Sequence, residues 1–246
     1  MKPEVLSVAG MPGLDRASFE AHFAMHWLWQ APDREQVLAE VAARVRGIQA
    51  TGAAVVDATL IGRLPQLEII ACCGVGYDGI DVAAARRRNV VVTNTPDVLN
   101  DCVADLALGL LIDASRGIGR GERHVRAGKW PEGGTPLQTR VSGKRLGIVG
   151  MGRIGRVIAR RAAGFDMKIA YHARRKAADV PFAYYQRLVD LARDSDFLVA
   201  IVPGGRDTFH LIDEEVLRAL GPQGILVNVA RGPVVDEAAL VRCLQE

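Results

Sequence analysis

The segment Leu146-Gly147-Ile148-Val149-Gly150-Met151-Gly152-Arg153-Ile154-Gly155 constrains the fold more than any other. A short apolar strand runs straight into a Gly-x-Gly-x-x-Gly turn, and a helical pattern opens from it at residues 154–163. With 26 glycines in the chain, the pattern alone carries little. The strand before it and the helix after it give it meaning. In that setting Gly150 permits a tight turn, Gly152 lets the backbone approach a pyrophosphate, and Gly155 allows close packing of helix on strand. The N–H groups of Arg153 and Ile154 open the helix and form a natural anion site. The bland alternative is a tight turn with no ligand.

Around this turn the pattern alternates. Strands are expected at 146–149, 167–171, 197–202 and 225–229, and helices at 154–163, 185–192, 214–220 and from 237 onward. That is a strand–helix unit repeated four times. The first hundred residues alternate too. Strands are expected at 6–8, 53–56, 67–72 and 90–92. Helices are expected at 34–46, with Val37, Leu38, Val41 and Val45 on one face, and at 81–88. Such alternation argues for parallel α/β sheets. Thr95-Pro96 interrupts it, since proline biases its predecessor away from the helical region. A long helix follows at 98–117, then an irregular stretch at 126–141. The junction is placed near Pro96, giving domains 1–96 and 97–246.

The second strand after the glycine turn selects the dinucleotide. A site for NAD puts Asp or Glu about 20 residues beyond the motif, to hold the ribose hydroxyls. Here the strand runs out as Ala170-Tyr171-His172-Ala173-Arg174-Arg175-Lys176, with Asp166 too early and Asp179 too late. Cations at that point suit a 2′-phosphate, and arginine offers it a planar fork. NADPH is therefore favoured over NAD, with Arg174 the first candidate and Arg175 the second. The alternative is a basic surface loop.

Charge and composition narrow the field. The formal net charge is +3. It is uneven: residues 140–176 hold 11 Lys and Arg against the single acid Asp166. A solvated basic face, a phosphate-bearing small ligand or a nucleic acid could each explain this. The glycine turn favours the small ligand, and no helix-turn-helix signature or aromatic platform supports nucleic acid. Four cysteines (Cys72, Cys73, Cys102, Cys243) lack paired spacing. Reduced, mostly buried thiols are expected, with no metal site and no disulfide framework. No apolar run reaches the roughly 18 residues of a membrane helix. With no signal-peptide pattern at the start, the expected compartment is the cytoplasm.

Several segments together resemble the D-isomer-specific 2-hydroxyacid dehydrogenase family, most of all its NADPH-dependent glyoxylate/hydroxypyruvate and hydroxyphenylpyruvate reductases. They are Gly74-Val75-Gly76-Tyr77-Asp78-Gly79-Ile80-Asp81, Thr95-Pro96-Asp97-Val98-Leu99-Asn100-Asp101, the glycine turn, and Asn228-Val229-Ala230-Arg231-Gly232. The resemblance implies a flavodoxin-like N-terminal substrate domain and a Rossmann-type doubly wound parallel sheet, truncated at the C-terminus. It implies that backbone N–H groups of Val75 and Gly76 receive the substrate carboxylate. Arg231 is implied as the catalytic cation holding carboxylate and reacting carbonyl, where charge builds on oxygen. Val202, Pro203, Val229 and Ala230 would lie along the cofactor. Asn100 stands where relatives carry threonine. A homodimer is implied, paired through 98–117 and Trp130.

The same resemblance implies a glutamate and a general-acid histidine well downstream of the Ala-Arg-Gly segment. Only 15 residues follow Arg231. None of the five histidines (His22, His26, His124, His172, His210) stands in that position. The chain is expected to be a fragment of a longer reading frame, the alternative being a degenerate relative. Two functions follow. One is an NADPH-dependent reductase of 2-ketoacids such as glyoxylate or hydroxypyruvate, giving the D-2-hydroxyacid. The other is a non-catalytic, dinucleotide-binding regulatory or scaffold protein.

Overall fold

Apolar residues that recur without alternation need cover on both faces of a sheet, and parallel strands joined by helices supply it. The computed structural model, which describes residues 2–11, 13 and 15–246, has two such sheets. They lie in two compact units, Met1–Val98 and Leu99–Glu246.

The first unit runs β1 (Glu4–Ser7), α1 (Arg16–His22), β2 (Ala24–Trp27), α2 (Arg34–Val41), β3 (Val45–Thr51), α3 (Ala58–Arg63), β4 (Ile69–Cys73), α4 (Val82–Arg87) and β5 (Val91–Thr93). Its five parallel strands are ordered β2-β1-β3-β4-β5, which is the flavodoxin-like order. In register, Leu6, Ile48 and Ile70 stand side by side and are almost wholly buried. Side chains of Asp33, Asp57 and Asp81 cap α2, α3 and α4, each accepting from the N–H three residues on. These caps satisfy one of the amides a helix start leaves open.

Two expectations fail here. The helix placed at 34–46 stops at Val41, and Val45 begins β3 by pairing with Glu4 of β1. Local helix preference yields to strand pairing. Residues 53–56 are correspondingly not a strand. Val56 makes one isolated bridge to Ile80, and the segment delivers Asp57 to its capping position. The strand β2 was not foreseen. His26 in it meets the Glu4 carboxylate at 3.0 Å, and Arg44 meets the same carboxylate at 2.7 Å. The Arg44 hydrogen bond is the main reason the Glu4 carboxyl is held below its ordinary range.

The second unit begins with α5 (Asn100–Arg116), which Gly117 ends in the left-handed region at φ 64°, and α6 (Ile118–Arg126). It continues β6 (Arg145–Val149), α7 (Arg153–Ala163), β7 (Lys168–His172), β8 (Ala183–Tyr185), α8 (Leu188–Arg193), β9 (Phe197–Ala200), α9 (Glu214–Leu220), β10 (Ile225–Asn228) and α10 (Glu237–Gln245). The sheet order is β10-β9-β6-β7-β8, all parallel. Chain order reverses between β6 and β9, where open α/β sheets bind their ligands beyond the strand ends. The helix placed at 185–192 is corrected to a strand, β8, and the shorter α8. The aromatic pair Tyr184-Tyr185 lies against Tyr171-His172 of β7, so this half has five strands rather than four. Helix α5 packs on α7, and Arg161 of α7 bonds Asp101 at 2.9 Å and Asp105 at 2.8 Å. Of the cysteines, only Cys72 is buried, against the expectation that most would be. No helix among the described residues is long and apolar enough to cross a membrane.

Gly147, in the centre of β6, shows how tightly this sheet is covered. A side chain there would overlap Ser195 Oγ and come within 2.9 Å of Leu198 and 3.0 Å of Leu191. Ser195 Oγ is fixed by donating to the Leu191 carbonyl at 2.6 Å. Gly147→Ala is expected to destabilise the unit by about 1–3 kcal/mol through overpacking. The midpoint of urea unfolding checks this, and an unchanged midpoint would refute it.

Candidate active site

The three glycines of the turn meet three different surroundings. Gly150, at φ 108°, faces the Ile201 carbonyl so closely that a side chain would overlap it. A side chain on Gly155 would overlap the Gly150 carbonyl. At Gly152 an added carbon meets nothing within 4 Å. The first and third glycines thus let α7 pack on the end of β6. The second leaves open space at the start of α7, where N–H groups and the helix dipole favour an anion.

A groove of about 860 Å³ opens there, within the range of small-molecule sites. It is lined by Gly150 and Gly152 of the turn, Arg174 and Arg175 after β7, and Val202 and Pro203 after β9. Six of the residues singled out in sequence therefore share one surface. Arg153, Ile154, Gly155, Val229, Ala230 and Arg231 do not line it. His172 ends β7 in place of the acid an NAD site would carry, and its Nδ1 lies 3.1 Å from the Tyr185 carbonyl. Arg206 and Asp207 were missed. They belong to a short 3₁₀ turn after Gly205 and have no periodic pattern to mark them. Among the described residues, Asp207 is the one acid on the groove's lining, 3.9 Å from Arg174. Among the described residues, no cluster of His, Cys, Asp and Glu could hold a metal ion.

Arg231 lies just beyond β10 in a loop folded by Asn228. The Asn228 side chain accepts from the Ala230 N–H at 3.0 Å and donates to the Arg231 carbonyl at 2.8 Å. The Val234 N–H donates to the same carbonyl at 3.1 Å. The guanidinium of Arg231 bonds the Ala230 carbonyl at 2.9 Å.

In the N-terminal unit, Gly74-Val75-Gly76 follows β4. All three of its carbonyls are taken: Gly74 by the Thr95 N–H at 3.0 Å, Val75 by Asn94 Nδ2 at 2.9 Å, and Gly76 by the Cys72 thiol at 3.6 Å. Thr95 Oγ1 accepts from the Gly74 N–H. Among the described residues, the N–H groups of Val75 and Gly76 have no such partner. Two adjacent backbone donors on a turn whose acceptors are satisfied suit an anion.

Similarity to known proteins assigns the family. The NAD binding domain of D-isomer specific 2-hydroxyacid dehydrogenases matches residues 108–246. A glyoxylate/hydroxypyruvate reductase A of Arabidopsis thaliana is 41% identical over 242 residues, covering 98% of this chain and 77% of the relative. A hydroxyphenylpyruvate reductase of Plectranthus scutellarioides is 42% identical over the same shares. Among solved structures, an NADPH-dependent glyoxylate/hydroxypyruvate reductase from Sinorhizobium meliloti, in complex with NADP and malonate, superposes with a TM-score of 0.89. It is 39% identical, over 100% of this chain and 76% of that one. The chain belongs to the D-isomer specific 2-hydroxyacid dehydrogenase family.

The different surroundings of the glycines predict different consequences. Gly155→Ala should cost about 1–3 kcal/mol of stability, because backbone must move to admit it. Gly152→Ala should change stability by less than about 1 kcal/mol yet weaken dinucleotide binding. Thermal unfolding measured with and without NADPH separates the two. Equal stability losses would contradict the assignment.

Proposed function

We propose that the protein reduces 2-ketoacids, glyoxylate and hydroxypyruvate among them, to D-2-hydroxyacids with NADPH. The observation that carries this reading is the groove itself. A glycine turn and open helix start lie on the same surface as Arg174, Arg175 and Arg206, and no carboxylate stands at the end of β7. The open space at Gly152 suits a pyrophosphate, and the arginines suit a 2′-phosphate. Val202 and Pro203 offer the dinucleotide an apolar wall. When bound, NADPH supplies a hydride to the keto carbon.

The chain's own residues bind and stabilise charge. The Val75 and Gly76 N–H groups receive the substrate carboxylate. Arg231, held by the Asn228 loop, offers a permanent positive charge for the carbonyl oxygen that becomes negative. Such a preorganised cation needs no rearrangement when the charge develops. The chain spans about three-quarters of its relatives' length. The glutamate and proton-donating histidine that the family resemblance implies are not among its 246 residues. The reductase names of the relatives give the scaffold alternative no support.

We also propose a homodimer. Leu106 and Leu110, 56% and 42% exposed, lie one turn apart on α5, and Ile118, Val125 and Trp130 are exposed in the segment that follows. Apolar side chains at helical spacing on a surface suit a self-complementary interface. Light scattering should give a dimer mass for the wild type and a monomer for Leu106→Glu/Leu110→Glu. A monomeric wild type would exclude this assembly.

The function is tested by hydroxypyruvate-dependent oxidation of NADPH, together with direct cofactor titration. Arg174→Ala should weaken NADPH binding by about 10- to 100-fold, as expected for one charge-assisted contact. NADH binding should change less than about twofold. Failure of NADPH to bind would overturn this reading.

A further inference from the structure

The loop that follows β7 is tied down at successive points. Tyr184 donates its hydroxyl to the Ala173 carbonyl at 3.2 Å. Tyr171, wholly buried, sets its hydroxyl beneath the loop. It accepts from the Ala177 N–H at 2.9 Å and donates to the Ala177 carbonyl at 3.3 Å. Arg174, Arg175 and Lys176 form the span between these two anchors. Beyond it, Asp179 receives both terminal nitrogens of Arg156, at 2.8 and 2.7 Å.

Arg156 is the residue after Gly155, in the first turn of α7. Its N–H donates to the Gly152 carbonyl at 3.1 Å. One end of the Arg156–Asp179 fork is therefore fixed to the helix start that suits a pyrophosphate. The other end is fixed to the loop whose arginines suit a 2′-phosphate. The two tyrosines fix the loop to its own strand pair, and the fork fixes it to α7.

We propose that the Arg156–Asp179 fork is a positioning pair for cofactor choice, setting the span between the start of α7 and the guanidinium groups of Arg174 and Arg175. This rests on the NADPH assignment made above. An exposed pair such as this one, with Asp179 71% exposed and Arg156 38%, adds little to folding stability. Its value is geometric: a bidentate fork restricts both distance and orientation, and an ordered loop spares the ligand the cost of ordering it. A dinucleotide with a 2′-phosphate must meet both phosphate sites at once and feels that span. One without it meets only the helix start.

Charge alone makes the opposite prediction. Asp179 is a carboxylate three residues from Lys176, and Asp207 lies by Arg174. If Asp179 were only a counter-charge, neutralising it would leave the loop more positive and tighten NADPH. If it positions the loop, neutralising it weakens NADPH in spite of the added positive field.

The test is equilibrium titration of the whole chain with NADPH and with NADH, followed by nicotinamide fluorescence. The variants are Arg156→Lys, which keeps the charge and loses the fork, Asp179→Asn, and Asp179→Glu as the conservative rescue. Arg156→Lys and Asp179→Asn should each weaken NADPH by about three- to ten-fold, the size expected for disordering one or two side chains. NADH should stay within about twofold, and Asp179→Glu should recover most of the NADPH affinity. Tighter NADPH binding in Asp179→Asn would overturn the proposal, and so would equal weakening of both cofactors. A wild type that does not prefer NADPH, or an Arg174→Ala variant with unchanged preference, would overturn the cofactor assignment itself. The same titrations keep the two failures apart.

Discussion

The C-terminal unit depends on a contact with no room in it. Gly155 sits so close to the Gly150 carbonyl, and Gly150 so close to that of Ile201, that neither tolerates a side chain. This fixes the start of α7 over the end of β6 and beside the segment leaving β9. Everything else at the site is placed relative to that junction. The groove opens where β6 and β9 diverge, and the loop after β7 reaches it from the other side of β6. A fold built on loose packing could present the same arginines, but not at a fixed distance from the helix start.

The basic run at 140–176 looks uniform in sequence and is not uniform in the fold. Arg145 binds Asp196, tying the base of β6 to the start of β9. Arg160 and Arg161 reach Asp101 of α5, and Arg161 also Asp105. Arg156 takes Asp179, whose carboxyl that hydrogen bond holds below its ordinary range. Four cations are thus spent on joining elements, while Arg174 and Arg175 face the groove. The acids that neutralise the run come from outside it, so a count along the chain overstates the positive surface.

The strand-turn-helix core was legible because its signals are local. Glycines at close approaches, apolar strands buried on two faces and helices such as 214–220 all declare themselves within a dozen residues. The flavodoxin-like order of the first sheet and the family came from separated motifs that resemble relatives. What stayed hidden is what partners decide. Val45–Thr51 becomes a strand because β1 and β4 flank it, and Ala183–Tyr185 because β7 offers an edge. Arg206 lies more than thirty residues from Arg174 in sequence, and only the sheet brings both to one groove. In sequence Asp179 lies too far beyond the glycine turn to hold a ribose. Its position makes sense once α7 is seen to offer Arg156.

The loop that bears Arg231, the cation proposed above to stabilise charge, is ordered by a side chain in a similar way. An arginine at a strand end has many rotamers, and ordering them at each encounter would cost affinity. Here the backbone is folded first: Asn228 closes on both Ala230 and Arg231, and the turn that follows returns the Val234 N–H to the Arg231 carbonyl. The Ile212 N–H then takes the Val234 carbonyl, and the Asp236 N–H the Ile212 carbonyl, anchoring the far side of the loop. Asparagine suits this role because one short side chain both accepts and donates. Aspartate would accept from Ala230 but could not donate to Arg231, and would set a negative charge beside the cation. The residue three before the arginine therefore orders the backbone that carries it.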